Sequence, residues 1–317
     1  MSLRHWIVWA CFALGFAKVG AADAEPPPPE LAALEWIPLF SAGDLPSMPD
    51  AGEEYWANAR LLNVQQPSLG VMRTDVGDFP RPAFIICAGG GYNHLAILQE
   101  AYPLGKWLNA HGIDAYLLKY RLKEWGYPAP LQDVTQAVRM LRANVDSWQI
   151  DPARIGVVGF SAGGHVAGMS ATLWGLPEAV LSAESEYSNT SARPDLVAMI
   201  YPVVTMQEPF THQGSRHNLL GPAPTELAIK ALSLEERVRP DSPPVFLVHT
   251  DTDTAVPAEN SLQFATALRA QKVPVELHLF AEGPHGFGLR LGHGAASDWP
   301  DQFCHWLKSM GWLEEAK

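Results

Sequence analysis

Basic residues are scarce in this chain. Its 317 residues include 22 Lys+Arg against 34 Asp+Glu, a formal net charge of -12, and no run of lysine and arginine forms a stripe that could track a phosphate backbone. An acidic surface repels polyanions, so nucleic acid is excluded as a partner and unesterified pectin is disfavoured. Cysteine is scarcer still. Cys11, Cys87 and Cys304 are too few for a disulfide framework, and Cys87 closes an apolar strand-like run while Cys304 falls in an apparent terminal helix, so two buried free thiols are expected. The longest apolar run, Trp6 to Ala17, is shorter than the roughly 20 residues that span a bilayer as a helix. With Arg4 before it and small residues from Gly20 to Ala22 after it, residues 1–22 read as an export signal cleaved near Ala21 or Ala22. The expectation is an exported protein, periplasmic or extracellular, with no stable membrane insertion after cleavage. His212, His217, His293 and His305 have no ligand spacing to cysteines or carboxylates, so no metal is expected.

What is present describes a folded α/β chain. With 47% hydrophobic and 18% charged residues, the chain can bury a sizeable core. "AEPPPPE" reads as a polyproline linker, placed at residues 23–33, and the folded body, 34–317, is expected as one domain starting near Leu34. Strand-like runs recur at "LLNV", "AFIICA", "DAYLLKY", "RIGVVGF", "LVAMIYP", "PVFLVHT" and "VELHLF". Helical patterns fill most intervals from Ala96 onward. "PLQDVTQAVRMLRANVDSW" carries Val134, Ala137, Val138, Leu141 and Val145 on one face. The alternation indicates a mainly parallel sheet covered on both faces. From Val203 to Pro224 the pattern lapses into a long loop, expected at the carboxyl ends of the strands, where open-sheet sites form.

"RIGVVGFSAGGHVAG", Arg154 to Gly168, sets Ser161 between a buried-looking strand and a helix of small residues. Gly159 and Gly163 permit the sharp bend of a G-x-S-x-G nucleophile elbow; the bland alternative is a turn whose serine caps the helix. A serine nucleophile needs a base and donors for a developing oxyanion. "CAGGGYNHLA" follows a strand, so the amides of Gly90 and Gly91 could converge with that of Ala162, against the alternative of a plain flexible loop. "FLVHTDTDTAVP" puts Asp251 and Asp253 just past another strand, and "FAEGPHGFG" places His285 in glycine-rich sequence past the last one. The order Ser, Asp, His is the triad order of one serine-hydrolase fold among three arrangements.

Together with "WLNAHGIDAYLLKYRL", "GSRHNLLG" and "GPHGFGL", these ordered motifs from about Pro82 to Trp312 resemble α/β-hydrolase serine esterases of the acetyl xylan esterase type, related to hormone-sensitive-lipase-like esterases. The resemblance implies an α/β-hydrolase fold with a central sheet of about eight mainly parallel strands and helices on both faces. It also implies a triad of Ser161, Asp253 and His285 and no cofactor. Asp253 is selected because the family's acid lies four residues after the strand-ending histidine, His249, and four before Pro257; Asp251 is then expected to fold its carboxylate onto nearby amides. Tyr120, Arg121 and Asp133 match a "YR...D" arrangement that organises the scaffold. Tyr92, Asn93 and His94 either touch substrate or pin the loop. Trp125 and Trp174 could stack on sugars, though most of the 11 tryptophans are simpler to read as core or boundary aromatics. Two positions depart from the pattern: Ala88 stands where the lipase-like relatives have histidine, and Thr250 where relatives usually have glycine. The activity implied is removal of acetyl groups from xylan or related plant polysaccharides or oligosaccharides. The alternatives are a general short-chain carboxylesterase or feruloyl esterase, and a non-catalytic hydrolase-fold binding protein.

Overall fold

The computed structural model describes residues 24–41, 43–46, 52–182 and 186–314. The expected export signal and Cys11 lie outside them. Among the described residues there are ten strands: β1 Trp36–Pro38, β2 Tyr55–Ala57, β3 Arg60–Leu62, β4 Ser68–Met72, β5 Arg81–Cys87, β6 Asp114–Lys119, β7 Ile150–Phe160, β8 Leu196–Ile200, β9 Val245–Thr250 and β10 Val275–Phe280. Eight of them make one sheet in the order β1-β4-β6-β5-β7-β8-β9-β10. From β6 to β10 every neighbouring pair is parallel, whereas β4 runs antiparallel to both β1 and β6.

Strands buried on both faces need apolar residues at every position rather than alternate ones. β5, β8 and β9 are buried along their whole length, which is why "AFIIC", "LVAMI" and "VFLV" are unbroken apolar runs. The helices are α1 Pro29–Ala32, α2 Tyr102–Ala110, α3 Ala129–Ala143, α4 Val145–Trp148, α5 Ala162–Thr172, α6 Gln213–Leu220, α7 Glu226–Ala231, α8 Glu259–Ala270 and α9 Trp299–Ser309. α2 and α9 share one face, with Trp107 and Phe303 stacked at 6.0 Å. α3, α5 and α8 cover the other.

The structure corrects several details. "LLNV" lies outside the main sheet: Leu61 and Leu62 belong to β3, which pairs with β2 in a separate two-stranded sheet and bridges to Leu95 through Leu61. Its place in the sheet is taken by β4, whose "SLGVM" carries a glycine and a flanking proline that weaken the strand signal. Gly70 is required there, because a Cβ would meet the Trp36 ring at 2.9 Å. The segment from Val203 to Pro224 is not all loop. Val203–Met206 is buried and α6 forms after an N-cap by His212, a helix hidden from pattern reading by Gly214 and its polar neighbours. The proline-rich segment is docked: Glu25 N donates to Trp56 O, and Leu31 in α1 is buried in the core, so packing begins before Leu34. Cys87 and Cys304 are free thiols, the first buried and the second only half-buried.

Candidate active site

Four chain segments meet at the carboxyl ends of the parallel strands: those following β5, β7, β9 and β10. Ser161 stands between β7 and α5 with φ 53 and ψ -119, a strained conformation for a residue other than glycine. Two close approaches hold it there. A Cβ on Gly159 would lie 2.0 Å from Gly163 O, and one on Gly163 would lie 2.2 Å from Cys87 O. No side chain fits at either position, so strand, turn and helix pack backbone to backbone.

His285 Nε2 lies 2.8 Å from Ser161 Oγ, and His285 Nδ1 lies 2.6 Å from Asp253 Oδ2. A carboxylate only accepts, so Nδ1 carries the proton and Nε2 accepts from the serine hydroxyl. Asp253 is itself fixed: Oδ1 accepts from the amides of Ala255 and Val256, each at 2.9 Å, and Oδ2 lies 3.5 Å from His249 Nε2. Burial pushes its pKa up, but hydrogen bonds from His249 and His285, the His285 charge and the Val256 amide outweigh burial and hold it well below the usual carboxylate range. Asp251 is exposed, and its carboxylate makes no hydrogen bond among the described residues, contrary to the expected fold-back onto local amides.

The oxyanion candidates sit beside the serine. The amides of Gly90, Gly91 and Ala162 donate to no group among the described residues, which leaves three N–H vectors available. Gly90 has φ +132, and a Cβ there would meet His94 O at 2.1 Å. Asn218 Nδ2, from α6, donates to Gly91 O at 2.7 Å and fixes that peptide.

Of the three tentative substrate contacts, Tyr92 is excluded. It is fully buried at φ 59, and its hydroxyl donates to His165 Nδ1 at 2.7 Å, so it turns into the core and pins the loop. Asn93 is half-exposed, with its Oδ1 accepting from Lys123 Nζ. His94 is half-exposed and held neutral, its pKa lowered to about 4 chiefly by burial, then by the charges of Arg60 and Lys123. Tyr120 donates to Ala88 O at 2.7 Å, and Arg121 pairs with Asp133 at 2.7 Å with both side chains buried, as scaffold residues would. Trp125 is committed to Val64 O through its Nε1 and to the Arg121 guanidinium at 5.1 Å.

Three residues at the site escaped sequence reading. His212 lies beside the oxyanion loop, its Cε1 3.8 Å from where a Gly91 Cβ would be. Its pKa is lowered by burial and then by the His285 charge. Ser215 N donates to its Nδ1 at 3.2 Å, so the neutral ring presents Nε2 as a donor. Tyr201, at φ 38, sets its ring edge-on to His285 at 5.0 Å, and Glu100 is buried beneath the oxyanion loop. Only His212 carried a signal in the sequence, a histidine in the long post-strand segment.

A family model described as BD-FAE matches residues 70–268. The chain belongs to the BD-FAE family. The match spans β4 to α8, and so includes Ser161, Asp253 and the oxyanion loop but stops before His285. Among similar proteins, the acetylxylan esterase of Xylanibacter ruminicola is 32% identical over 232 residues, 72% of this chain and 45% of the relative. Endo-1,4-beta-xylanase B of Butyrivibrio fibrisolvens is 35% identical over 213 residues, 66% of this chain and 33% of the relative. The chain thus spans less than half the length of either. The acetyl ester-xyloside bifunctional hydrolase of Caldicellulosiruptor lactoaceticus superposes with a TM-score of 0.78 at 36% identity, covering 88% of this chain and 97% of that one. An alpha/beta hydrolase enzyme from a deep-sea metagenome superposes at 0.59 with 28% identity over 77% of this chain and 92% of its own. This BD-FAE member therefore has the α/β-hydrolase fold. No helix among the described residues is long and apolar enough to cross a membrane.

Proposed function

We propose that this protein is an exported serine esterase that removes acetyl groups from xylan-type polysaccharide or its oligosaccharides. The observation that carries the chemistry is the Ser161–His285–Asp253 relay, with both contacts at hydrogen-bond length and each imidazole nitrogen facing its required partner. Ser161 Oγ attacks the ester carbonyl as His285 Nε2 takes its proton. The carbonyl oxygen becomes an oxyanion that accepts from the amides of Gly90, Gly91 and Ala162. His285 then returns the proton to the departing sugar oxygen, leaving an acyl-serine, and water activated by the same imidazole hydrolyses it. Asp253 stays ionised throughout and favours the imidazolium that forms in each half-reaction.

The substrate class rests on the resemblance to an acetylxylan esterase and a xylanase. His212 supports a polar leaving group, because a fixed Nε2–H donor beside Gly91 suits a sugar hydroxyl better than an alkyl chain. The rival reading is a general short-chain carboxylesterase, favoured by 29% identity over 245 residues to the esterase LipC of Mycobacterium tuberculosis. Incubation of the chain with acetylated xylan, acetylated pectin and feruloylated xylan, followed by identification of the acid released, decides among these. Acetate from xylan is expected. Hydrolysis of 4-nitrophenyl acetate with no acid from any polysaccharide would assign the general esterase instead, and no turnover of either would leave a non-catalytic binding protein.

A further inference from the structure

A buried carboxylate that the triad does not use lies under the oxyanion loop. Glu100 belongs to the π-helical turn Ile97–Ala101, and none of the steps above involves it. Its Oε2 accepts from Gly89 N at 2.6 Å, and its Oε1 accepts from Tyr201 OH at 3.0 Å. Tyr201 OH in turn accepts from Gly288 N at 3.0 Å, three residues past His285. Gly89 is held from the other side as well, since Ala96 N donates to its carbonyl at 3.0 Å. Three hydrogen bonds therefore connect the loop that presents the oxyanion amides to the loop that presents the general base, through one carboxylate and one phenol.

The packing along this path leaves little slack. A Cβ on Gly89 would lie 2.9 Å from Glu100 Oε2 and 3.0 Å from Ser161 Cβ. One on Gly288 would lie 3.3 Å from Gln99 O, so the histidine loop rests on the same turn. The Tyr201 ring stands edge-on to His285 at 5.0 Å and to Phe287 at 4.6 Å.

We propose that Glu100 is a positioning residue of the esterase, a carboxyl group that fixes the oxyanion loop and the His285 loop against each other. The proposal rests on the esterase reading. Tyr201 OH already accepts from Gly288, and among the described residues its own proton has no acceptor other than Glu100, so loss of either carboxyl oxygen as an acceptor leaves a buried donor, Tyr201 OH or Gly89 N, unpaired. Burial raises the Glu100 pKa and outweighs the Gly89 amide, the Tyr201 hydroxyl and the charges of His285 and Arg290, which oppose it. The ionisable groups around Glu100 are Tyr120, Tyr201, His285 and Arg290. Those around His285 are Asp253, Glu100 and His212.

The test compares wild type, Glu100→Gln and Tyr201→Phe on 4-nitrophenyl acetate across pH, with thermal melts of all three. E100Q keeps the shape but has one acceptor for two donors. Its kcat should fall by about 10²-fold, the order expected when reacting groups are displaced by about an ångström, with KM near the wild-type value. Y201F keeps the Gly89 bond but cuts the connection to Gly288, so its kcat should fall too, with KM near the wild-type value. E100Q with wild-type kcat overturns the proposal, as does a kcat loss in E100Q that Y201F does not share, which loss of packing around the carboxyl alone would give. If E100Q does not fold, Y201F with wild-type kcat overturns it, and a kcat loss at unchanged KM supports it. A wild-type chain that cleaves no ester overturns the esterase reading and this proposal together, whereas an active wild type equalled by both variants overturns this proposal alone.

Discussion

Replacing Asp253 with asparagine changes one atom of the relay, and the surrounding bonds determine how the amide sits. Oδ1 receives two backbone amides, from Ala255 and Val256, each at 2.9 Å. Turning the amide nitrogen toward them would oppose two donors to a third, at roughly 1–3 kcal/mol per buried donor left unpaired. The carbonyl therefore stays at Oδ1 and the amide nitrogen takes the Oδ2 position, 2.6 Å from His285 Nδ1. A donor there forces Nδ1 to become the acceptor, so the imidazole proton moves to Nε2. That nitrogen now meets Ser161 Oγ as a donor and cannot take its proton. The expected fall in turnover is about 10^4, the loss a serine protease suffers when its histidine is held in the wrong tautomer, equivalent to about 5.5 kcal/mol of barrier. Stability should fall less, by about 2 kcal/mol, because one charge-assisted hydrogen bond is lost and the packing is kept. The assay is turnover of 4-nitrophenyl acetate and melting temperature for D253N beside D251N. Asp251 is exposed and its carboxylate has no hydrogen-bond partner among the described residues, so its variant should match wild type in turnover and stay within about 0.5 kcal/mol in stability. A D253N chain within tenfold of wild type, or a D251N chain that loses turnover, would refute the assignment of the acid.

Further outcomes follow from the same contacts. Ser161→Ala should lower turnover by about 10^6 while the chain still folds, checked by kinetics and a thermal melt. Gly163→Ala should cost about 3 kcal/mol or more, since the new Cβ meets two backbone carbonyls, Cys87 O at 2.2 Å and Ala88 O at 2.4 Å; denaturant unfolding measures it. The Asp253 pKa is lower folded than unfolded, so the stability it contributes is present above the ordinary carboxylate pKa of about 3.9 and is lost as pH falls from there toward its folded value. Melting temperature against pH should therefore drop more steeply for wild type than for D253N over that window. Among nitrophenyl esters, acetate should be preferred to butyrate and octanoate, each refused methylene shifting discrimination by about 1 to 3 kcal/mol; specificity constants that rise with chain length would contradict it.

The parts of the site that were legible in the sequence are those whose chemistry is local. Ser161 is announced by glycines two residues away on either side, and His285 by glycines in its own turn, because a backbone that must bend sharply or approach another strand excludes side chains where it does so. β5, β8 and β9 were legible for the same kind of reason, burial on both faces writing itself as an unbroken apolar run. Glu100 was not, since its partners Gly89 and Tyr201 are 11 and 101 residues away and nothing near "ILQEA" marks a carboxylate as buried. Tyr92 was left between two roles by the sequence because it directly follows the oxyanion glycines; its positive φ turns its ring onto His165, so it pins the loop. β1 is an edge strand and β4 an antiparallel strand between it and β6, where pairing with neighbours rather than apolar content makes the strand.

Thr250 stands where relatives usually have glycine, and its contacts show how the acid-bearing turn accommodates it. Its hydroxyl donates to Gly283 O at 2.9 Å, and Thr252 closes a second connection to the same residue, donating to Gly283 O at 3.1 Å and accepting from Gly283 N at 3.0 Å. The turn that carries Asp253 is thereby fastened to the loop that carries His285, two residues beyond Gly283. The threonine methyl fills the space next to that glycine, since a Cβ on Gly283 would lie 2.7 Å from Thr250 Cγ2. A side chain at 250 is therefore accommodated because there is none at 283, and the two positions form one unit. Gly283→Ala should reduce turnover by displacing His285, and Gly283→Ala with Thr250→Gly should recover part of it. Additive losses in the double variant, measured as kcat on the same ester, would show that the two positions act separately.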